Sequence, residues 1–495
     1  MNKTIFINRI ASLVFTIIFV LPLFAQDKFV RFSLDDVIRI AKEQSPDAIL
    51  ARHRFRSSYW QYRSFKASYL PGIILSGTMP DLNRSIEWNS STNQIITSNS
   101  LTNYGSLSLS QNIGLTGGSI SISSELQRID QLDSTGLVQY LSTPISITFR
   151  QPLFAYNSMK WERKIQPMVF DEAKKNYIVA IEQVNLTAIG RFFDLAAAQL
   201  NLRVAQINYS NSDTLYKIAQ GRYNIGTIAE NDLLQMQLSY LNAKTDLNKA
   251  EIDLEMQKSK LRSFLGYNEK MNFELILPSN ISALQLEYQR ILDWALKNNP
   301  NVIARKRQII EASRDVAQAK GERRSIDLFA SYGLNHSEAA DIPLVYKEPF
   351  NDREQVRVGI SVPIIDWGKS LGRVKMAQSN LELVKVQVQQ NEIDFEQNIF
   401  LQVMQFNLQN DQVMIAAKAD TIGQKRYDVT KQRFLIGKID VLNLNDALRE
   451  KDSAKRGYID ALRNYWNYYY TIRQLTLFDF LKNQAIQEDL DNLIQ

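Results

Sequence analysis

The chain has 495 residues, of which 22% are charged and 45% hydrophobic, and its formal net charge is +6. It contains no cysteine and only two histidines, which excludes disulfides, a lipidated N-terminal cysteine and a Cys/His metal centre. Lys3, Arg9, the apolar run 13–21 and Ala25 predict a signal peptide over residues 1–25. An N-terminal membrane anchor is disfavoured because the run is short. Without Lys3 and Arg9 the charge falls by two, which gives no support for nucleic-acid binding.

Beyond the signal peptide, the chain carries one pattern twice. Pro363 follows Pro152 by 211 residues, and Gly437 follows Gly226 by the same interval. A spacing kept over roughly 110 residues indicates two copies of one structural unit. The expected units are a first repeat, a second repeat and a C-terminal tail, over residues 26–287, 288–478 and 479–495.

Each repeat contains a long helical hairpin, which we expect over 153–265 and 364–476. Along the outgoing arm of the first hairpin, apolar residues such as Ile181, Ala188 and Leu195 recur every seven positions. This spacing is typical of a coiled-coil seam. Gly226 and Gly437 mark the hairpin turns, where glycine suits the positive φ that ends a helix.

A shorter helix precedes each hairpin, and a linker over 266–287 joins the repeats. The first short helix is expected over about 33–69, as one continuous element. Its first part, residues 37–46 ending in Ser45-Pro46, corresponds to residues 291–300 ending in Asn299-Pro300, 254 residues later. The two intervals differ by 43 residues, so the first repeat holds an insertion, which we place at about 80–142.

Between the short helix and the hairpin of each repeat, apolar and polar residues alternate. The pattern predicts strands at about 72–79, 144–151, 326–334 and 355–363, each with one apolar face. Aromatic residues, among them Trp60, Tyr62, Phe154 and Trp367, cluster where these strands meet the helices. In an exported chain this combination predicts an outer-membrane β-barrel. A soluble sandwich, with the aromatics packed in a core, is the alternative.

The predicted strands require more than one copy of the chain. Four strands cannot close a barrel, since bacterial barrels begin at about eight strands. Two, three or four copies would supply eight, twelve or sixteen strands. The insertion adds a further hairpin, about 105–113 with 118–127, around a turn at Gly114 to Gly118. That hairpin is either an extracellular flap or additional barrel wall.

Taken together, these features resemble the TolC-type outer-membrane efflux protein family. The resemblance spans about residues 30–478 and rests on the order and duplication of several weak motifs. These motifs are the paired helix starts, the strand-to-helix junctions at 151–154 and 362–368, and the Arg-aromatic-x-x-Gly turns at 222–226 and 433–437. It implies a mainly α fold with a long antiparallel α-helical coiled-coil tunnel in the periplasm. A homotrimer would share a twelve-stranded β-barrel in the cell outer membrane.

The resemblance also implies a function and partners. The chain would be the passive exit duct of a tripartite efflux pump or of a type I secretion system, with no enzymatic activity, cofactor or metal. Its partners would be a periplasmic adaptor (membrane fusion) protein, an inner-membrane pump of the RND or ABC type, and outer-membrane lipid. The alternative is a non-conducting periplasmic coiled-coil adaptor or scaffold. Two hairpins preceded by amphipathic strands favour the duct, because an adaptor would carry one hairpin.

Particular residues acquire roles through the same resemblance. The hairpin tips that would dock the adaptor comprise Arg222, Tyr223, Gly226, Arg433, Phe434 and Gly437. The residues implied at the gate of the tunnel are Asp446, Asn443 and Asp232. Where the family has a second acidic ring, this chain has the neutral Asn443.

The latch of the gate departs further from the family pattern. The family pairs the acid at Asp232 with a tyrosine and an arginine, whose positions hold Phe434 and Ile439 in this chain. Neither replacement carries a hydrogen-bond donor in its side chain. We therefore expect the latch to use other contacts. The acidic ring of Asp446 is expected to give the gate a preference for cations.

Overall fold

The computed structural model describes residues 29–494, except 92, 133–136, 268–271, 279–280, 282–283, 324, 340–350, 362–364, 437 and 440. The predicted signal peptide lies outside the described residues. The helices are α1 Leu34–Gln44, α2 Pro46–Ala67, α3 Ser158–Asn224, α4 Glu230–Phe264, α5 Tyr288–Asn298, α6 Pro300–Gly321, α7 Lys369–Leu435 and α8 Val441–Thr476. The strands are β1 Phe29–Ser33, β2 Gly72–Asn89, β3 Gln94–Ile113, β4 Gly118–Gln131, β5 Val138–Leu153, β6 Asn272–Ile276, β7 Ser325–Ala339, β8 Asn351–Ser361, β9 Phe478–Asp479 and β10 Gln484–Ala485.

Helix lengths recur in the two halves of the chain. Each half has helices of 11, 22 and 67 residues in that order, followed by a return arm of 35 or 36 residues. The long helix α3 packs against α2 and α4, and α7 packs against α6 and α8. At 1.5 Å per residue, each long helix extends for about 100 Å. The helical part is therefore a bundle of long antiparallel hairpins.

The prediction of one continuous helix over about 33–69 is wrong. Ser45 and Asn299 have extended backbones, with φ/ψ of −63/145° and −65/130°. The cause is the proline after each of them, since a residue before proline is disfavoured in the helical region. The Ser45 and Asn299 side chains accept hydrogen bonds from the N–H groups of Ala48 (3.1 Å) and Asn301 (2.9 Å). Each therefore caps a second, separate helix.

The hydrophobic core lies in the middle of the bundle, where α1, α3, α5, α7 and α8 meet. The predicted heptad positions Ile181, Ala188 and Leu195 are at most 3% exposed. Large aromatic side chains on α3, α7 and α8 are fully buried beside them, namely Phe192, Phe193, Phe406, Tyr465 and Tyr469. Burial of this apolar surface joins the two hairpins into one bundle.

Six strands form one antiparallel sheet in the order β2-β3-β4-β5-β7-β8. The four predicted strands correspond to β2, β5, β7 and β8, and the predicted further hairpin corresponds to β3 and β4, which lie between β2 and β5. The sheet is open, with β2 and β8 at its edges, and a closed barrel is not seen among the described residues of the single chain.

All helical connections leave the sheet at one end. There β2 and β7 begin after α2 and α6, and β5 and β8 end before α3 and α7. At the opposite end lie the β2–β3 turn, the end of β4 with the start of β5, and the end of β7 with the start of β8. We call these the helical end and the loop end of the sheet.

Two small sheets, neither of them predicted, tie down the termini. β1 pairs in parallel with β6 from the linker, and Arg31 Nε lies 2.7 Å from Glu274 Oε2 across the pair. β9 and β10 form a two-residue antiparallel pair in the C-terminal tail. Both ends of the described chain are therefore anchored at the helical bundle.

Candidate export path and docking tips

Over β3, β4 and β5 the sheet has one apolar and one polar face, whereas β2 carries the exposed Ile73 and Ile74 on opposite faces. Residues directly opposed in antiparallel strands share a face, so the register defines rows of side chains across the sheet. One row comprises Ile73, Leu109, Ile122, Ile147 and Tyr332. The two rows beside it, on the other face, comprise Ser108, Ser123, Ser146 and Gly333, and Ser110, Ser121, Thr148 and Ser331. On the apolar face, Ile73 is 69% and Leu75 79% exposed. The arrangement suits lipid on one side and water on the other.

The aromatic residues at the helical end fall into two groups. Trp60, Phe154 and Trp367 are 58%, 81% and 95% exposed. Phe154 and Trp367 also share a positive φ, at 59° and 51°. Tyr62 instead stacks on Phe170, with ring centroids 4.5 Å apart. Core packing thus accounts for Tyr62, while the exposed aromatics suit a membrane–water interface.

The first hairpin tip ends α3 with a glycine in the left-handed region. Gly226 has φ +76°, and its N–H donates to the Tyr223 carbonyl at 2.8 Å. The Thr227 N–H donates to the Arg222 carbonyl at 2.9 Å, and the Thr227 hydroxyl donates to the same oxygen at 2.8 Å. These bonds satisfy carbonyls that the end of a helix leaves free. The predicted positive φ at Gly226 is confirmed.

The second tip shows the same closing bond. The Lys438 N–H donates to the Arg433 carbonyl at 3.0 Å, which matches the bond between Thr227 and Arg222. Gly437 and the side chain of Phe434 lie outside the described residues. Their predicted roles therefore stay predictions.

Between the two tips lies a groove of about 420 Å³. The first hairpin contributes Arg222 and Asp232 to its lining, and the second contributes Ile439, Leu442 and Asn445. The implied gate residue Asp232 thus lies in a groove whose other wall is partly apolar. Arg222, predicted only as a docking residue, brings a cation into the same groove.

Asp446 lies on α8, where it is ion-paired with Arg449 one turn further along the same helix. Both side chains are substantially exposed, and so is Asn443. Sequence reasoning missed Arg449, although a spacing of three residues on a helix is the signal for such a pair. The pair is locally neutral, because Arg449 offsets the negative charge on which the prediction for Asp446 depends.

A buried charged cluster, also missed, joins α3, α8 and the C-terminal tail. Arg473 contacts Glu182 Oε1 through Nη2 and Asp479 Oδ2 through Nη1, both at 3.0 Å. The Tyr469 hydroxyl donates to Asp479 Oδ1 at 2.6 Å, and Asn185 Nδ2 donates to Glu182 Oε1 at 3.0 Å. All five side chains are buried. The cluster fixes the tail against the middle of the bundle.

Burial and charge act differently on the two carboxyl groups. Burial raises the pKa of Glu182, although the charge of Arg473 acts in the opposite direction. Burial also acts to raise the pKa of Asp479, but the hydrogen bond from Tyr469 and the charge of Arg473 outweigh it and lower that pKa. Burial in the first place, and then the bond to Asp479, raise the pKa of Tyr469.

Along the described ranges, no helix combines the length and the apolar character needed to cross a bilayer. In the same part of the chain, no group of three or more acidic, histidine or cysteine side chains is arranged to hold a metal ion.

Comparison with known proteins gives one family and one fold. The family model of outer membrane efflux proteins matches residues 37–267 and 291–476, which is more than half of the chain. No curated protein sequence gives a significant match.

Solved structures of outer membrane channels share the fold. The CmeC channel of Campylobacter jejuni is 16% identical, with a TM-score of 0.66 over 93% of this chain and 88% of that chain. VceC of Vibrio cholerae is 13% identical, with a TM-score of 0.59 over 92% and 97%. The open state of MtrE of Neisseria gonorrhoeae is 15% identical, with a TM-score of 0.52 over 92% and 91%.

Proposed function

The chain belongs to the outer membrane efflux protein family, and we propose that three copies of it form the passive exit duct of a tripartite export machine. Family membership makes it an outer-membrane transport duct and not an enzyme. The observation that carries the finer proposal is the sheet, whose exposed apolar face carries Ile73 and Leu75. A sheet with a lipid-compatible face and open edges needs further copies to close a barrel.

The position of the helices supports a periplasmic tunnel. All helical connections leave the sheet at its helical end, so the bundle projects to one side of the membrane. Each of the two 67-residue helices extends for about 100 Å. In the proposed assembly, three bundles side by side enclose a tunnel that carries the exported compound across the periplasm.

The hairpin tips support docking to a periplasmic adaptor protein. Ile225 and Ile436, at equivalent places in the two turns, are 74% and 66% exposed, and Leu442 is 62% exposed. Exposed apolar side chains gathered at one end of a protein mark an interaction surface. The adaptor would join the duct to an inner-membrane pump of the RND or ABC type, or to a type I secretion system.

Sucrose-gradient separation of membranes, combined with native mass spectrometry in detergent, tests the proposal. We expect the chain in the outer-membrane fraction and a trimer as the dominant folded species. A non-conducting periplasmic scaffold would instead be recovered in the soluble periplasmic fraction. That recovery, or a monomer or dimer as the dominant folded species, would overturn the trimeric duct.

A further inference from the structure

We propose that the β3–β4 hairpin crosses the outer membrane as part of the barrel wall, so that three copies close a barrel of eighteen strands. This inference rests on the proposed trimeric duct and deepens it. The alternative is a flap outside the membrane, with only β2, β5, β7 and β8 in the wall.

The direction of the hairpin is the first argument. Its turn, residues 114–117, lies at the helical end of the sheet, beside the strand-to-helix junctions. The chain therefore runs from the loop end to the helical end in β3 and returns in β4. An extracellular flap would turn at the loop end. Both strands instead cover the height of the sheet that β2 and β5 also cover.

Hydrogen bonds fix this turn to the junctions on both sides. Asn157 Nδ2 donates to the carbonyls of Gly114 at 3.2 Å and Leu115 at 3.1 Å. The oxygen of the same side chain caps α3. Gln151 Nε2 donates to the Thr116 carbonyl at 3.1 Å. On the other side, Gln111 Nε2 donates to the Tyr69 carbonyl at 2.9 Å. The hairpin is thus anchored where the sheet meets the bundle.

Close packing at this junction leaves no space for a side chain. A Cβ atom at Gly118 would lie 2.8 Å from the Arg150 carbonyl oxygen, which belongs to the backbone of β5. The neighbouring Gly117 has φ +79°, a conformation that glycine adopts without strain. The sequence at the turn therefore suits a strand packed directly against β5.

The side chains of the hairpin continue both faces of the wall. Leu109 and Ile122 complete the apolar row between Ile73 on β2 and Ile147 on β5. One position away on either side, the hairpin places serine on the other face, where β5 has Ser146 and Thr148 and β7 has Gly333 and Ser331. A strand pair outside the wall would need no such match.

The sheet edges indicate the partner, which is a second copy of this chain. Because all neighbouring strands are antiparallel and there are six of them, β8 runs antiparallel to β2. The β8 edge of one copy can therefore pair with the β2 edge of the next in the same antiparallel pattern. Repetition around a threefold axis closes the ring and removes every free edge.

Eighteen strands would enclose a wider lumen than twelve, because barrel diameter grows with the number of strands. Barrels of this size leave an aqueous channel, and the serine and threonine side chains of β3, β4, β5 and β7 would line part of this one. The exit would admit large hydrophilic cargo, and selection among substrates would fall to the tunnel and the pump.

Site-directed spin labelling tests the inference, because the chain contains no native cysteine. Single-cysteine variants Leu109→Cys, Ser110→Cys, Ser121→Cys and Ile122→Cys of the full chain would be labelled in lipid vesicles. Collision with dissolved oxygen reports lipid, and collision with a water-soluble nickel chelate reports water. Ile73→Cys and Ile147→Cys are the matched references on strands that belong to the wall in both alternatives.

We expect a several-fold higher oxygen-to-nickel ratio at 109 and 122 than at 110 and 121, with the first two matching the references. Water exposure at all four hairpin positions, with lipid exposure kept at both references, would overturn the eighteen-stranded wall alone. Water exposure at the references as well would overturn the membrane duct itself. The two failures are therefore distinguishable.

Discussion

Gly226 shapes the first hairpin tip, which we propose docks the adaptor, through its backbone alone. It has φ +76°, and a Cβ atom placed there would meet no atom within 4 Å. Gly226→Val therefore adds strain of about 1–2 kcal/mol without a steric clash. We expect reduced export with normal membrane insertion, measured as drug susceptibility of a host that depends on this duct and as its content in the outer membrane.

Gly221→Val is the matched control for this variant. Gly221 lies in α3 with open space around its Cβ position and with ordinary helical backbone. Export should be almost unchanged in the control. Normal export by Gly226→Val, with intact crosslinking to the adaptor, would contradict the role given to the turn.

The ion pair between Asp446 and Arg449 leads to a two-sided prediction for ion selectivity. If both side chains line the constriction, Asp446→Ala leaves three arginines there, and cation selectivity falls. Arg449→Ala leaves three carboxylates, and cation selectivity rises. Reversal potentials in a salt gradient across a planar bilayer measure both effects.

The folding of both variants should be almost unchanged, because an exposed ion pair contributes about 0–1 kcal/mol to stability. Wild-type selectivity in both variants would place the pair away from the pore.

The burial of Glu182 leads to the prediction that the stability of the fold depends on pH. Burial raises its pKa in the folded chain above the value of about 4.3 expected when unfolded. Its neutral form thus contributes stability that is complete below that value and is lost as pH rises through the raised pKa. The thermal unfolding midpoint of the wild type, followed by circular dichroism, should rise on acidification from neutral pH more than that of Glu182→Gln.

The matched control for Glu182 is an exposed acid on the same bundle. Glu251→Gln should keep the wild-type dependence on pH, because Glu251 is exposed on α4. Asp479 acts in the opposite sense, since its lowered pKa gives stability that is lost only as pH falls through that value. Identical pH profiles for the wild type and Glu182→Gln would refute the effect of burial on Glu182.

The sequence predicts single residues where a local rule applies, and misses them where distant residues meet. The positive φ of Gly226 follows from its place at a helix end. The contact between Glu182 and Arg473 joins residues 291 positions apart, and each resembles an ordinary surface charge on its own helix. Only the packing of α3 against α8 shows that both are buried.

At the level of elements, the two helix breaks differ in strength. Ser45 Oγ accepts from the Ala48 N–H and caps α2. Asn299 caps α6 in the same way, and its Nδ2 also donates to the Leu475 carbonyl on α8 at 2.9 Å. Ser45→Ala should cost about 1 kcal/mol, which is typical of a lost cap. Asn299→Ala should cost more, because it also removes the tie to α8.

Asn299→Ser separates the two contributions, since serine keeps the cap and cannot reach Leu475. Its unfolding midpoint in thermal denaturation should lie between those of the wild type and Asn299→Ala. Equal midpoints for Ser45→Ala and Asn299→Ala would show that the bond to α8 contributes nothing.

Elements are predictable from sequence where periodicity is long, and less so where it is short. The hairpins expected over 153–265 and 364–476 correspond to Ser158–Phe264 and Lys369–Thr476. The break at Ser45 was missed because the apolar pattern continues across the proline. The pairing of β1 with β6 was missed because five-residue strands carry little pattern and their partner is distant. The position of β3 and β4 within the sheet depends on the order of the strands. Alternation of apolar and polar residues identifies strands but does not define their order.

For the whole molecule, the alternating strands of an exported chain predict a multi-copy barrel, and the family resemblance implies an exit duct. Family membership supports an outer-membrane duct. The six strands of the sheet are the four predicted strands and the two strands of the inserted hairpin. The place of this hairpin in the sheet follows from its turn, which lies at the helical end. The apolar face, open edges and one-sided helices of the single chain support the proposal that it assembles with further copies in a membrane.

Planar-bilayer recording of the purified full chain tests the duct most directly, because it separates a conducting ring from a non-conducting scaffold. We predict discrete stepwise currents after reconstitution, with the change in ion selectivity on Arg449→Ala described above. The contradicting result is a protein whose strands are protected from protease in vesicles but which gives no current steps at any voltage.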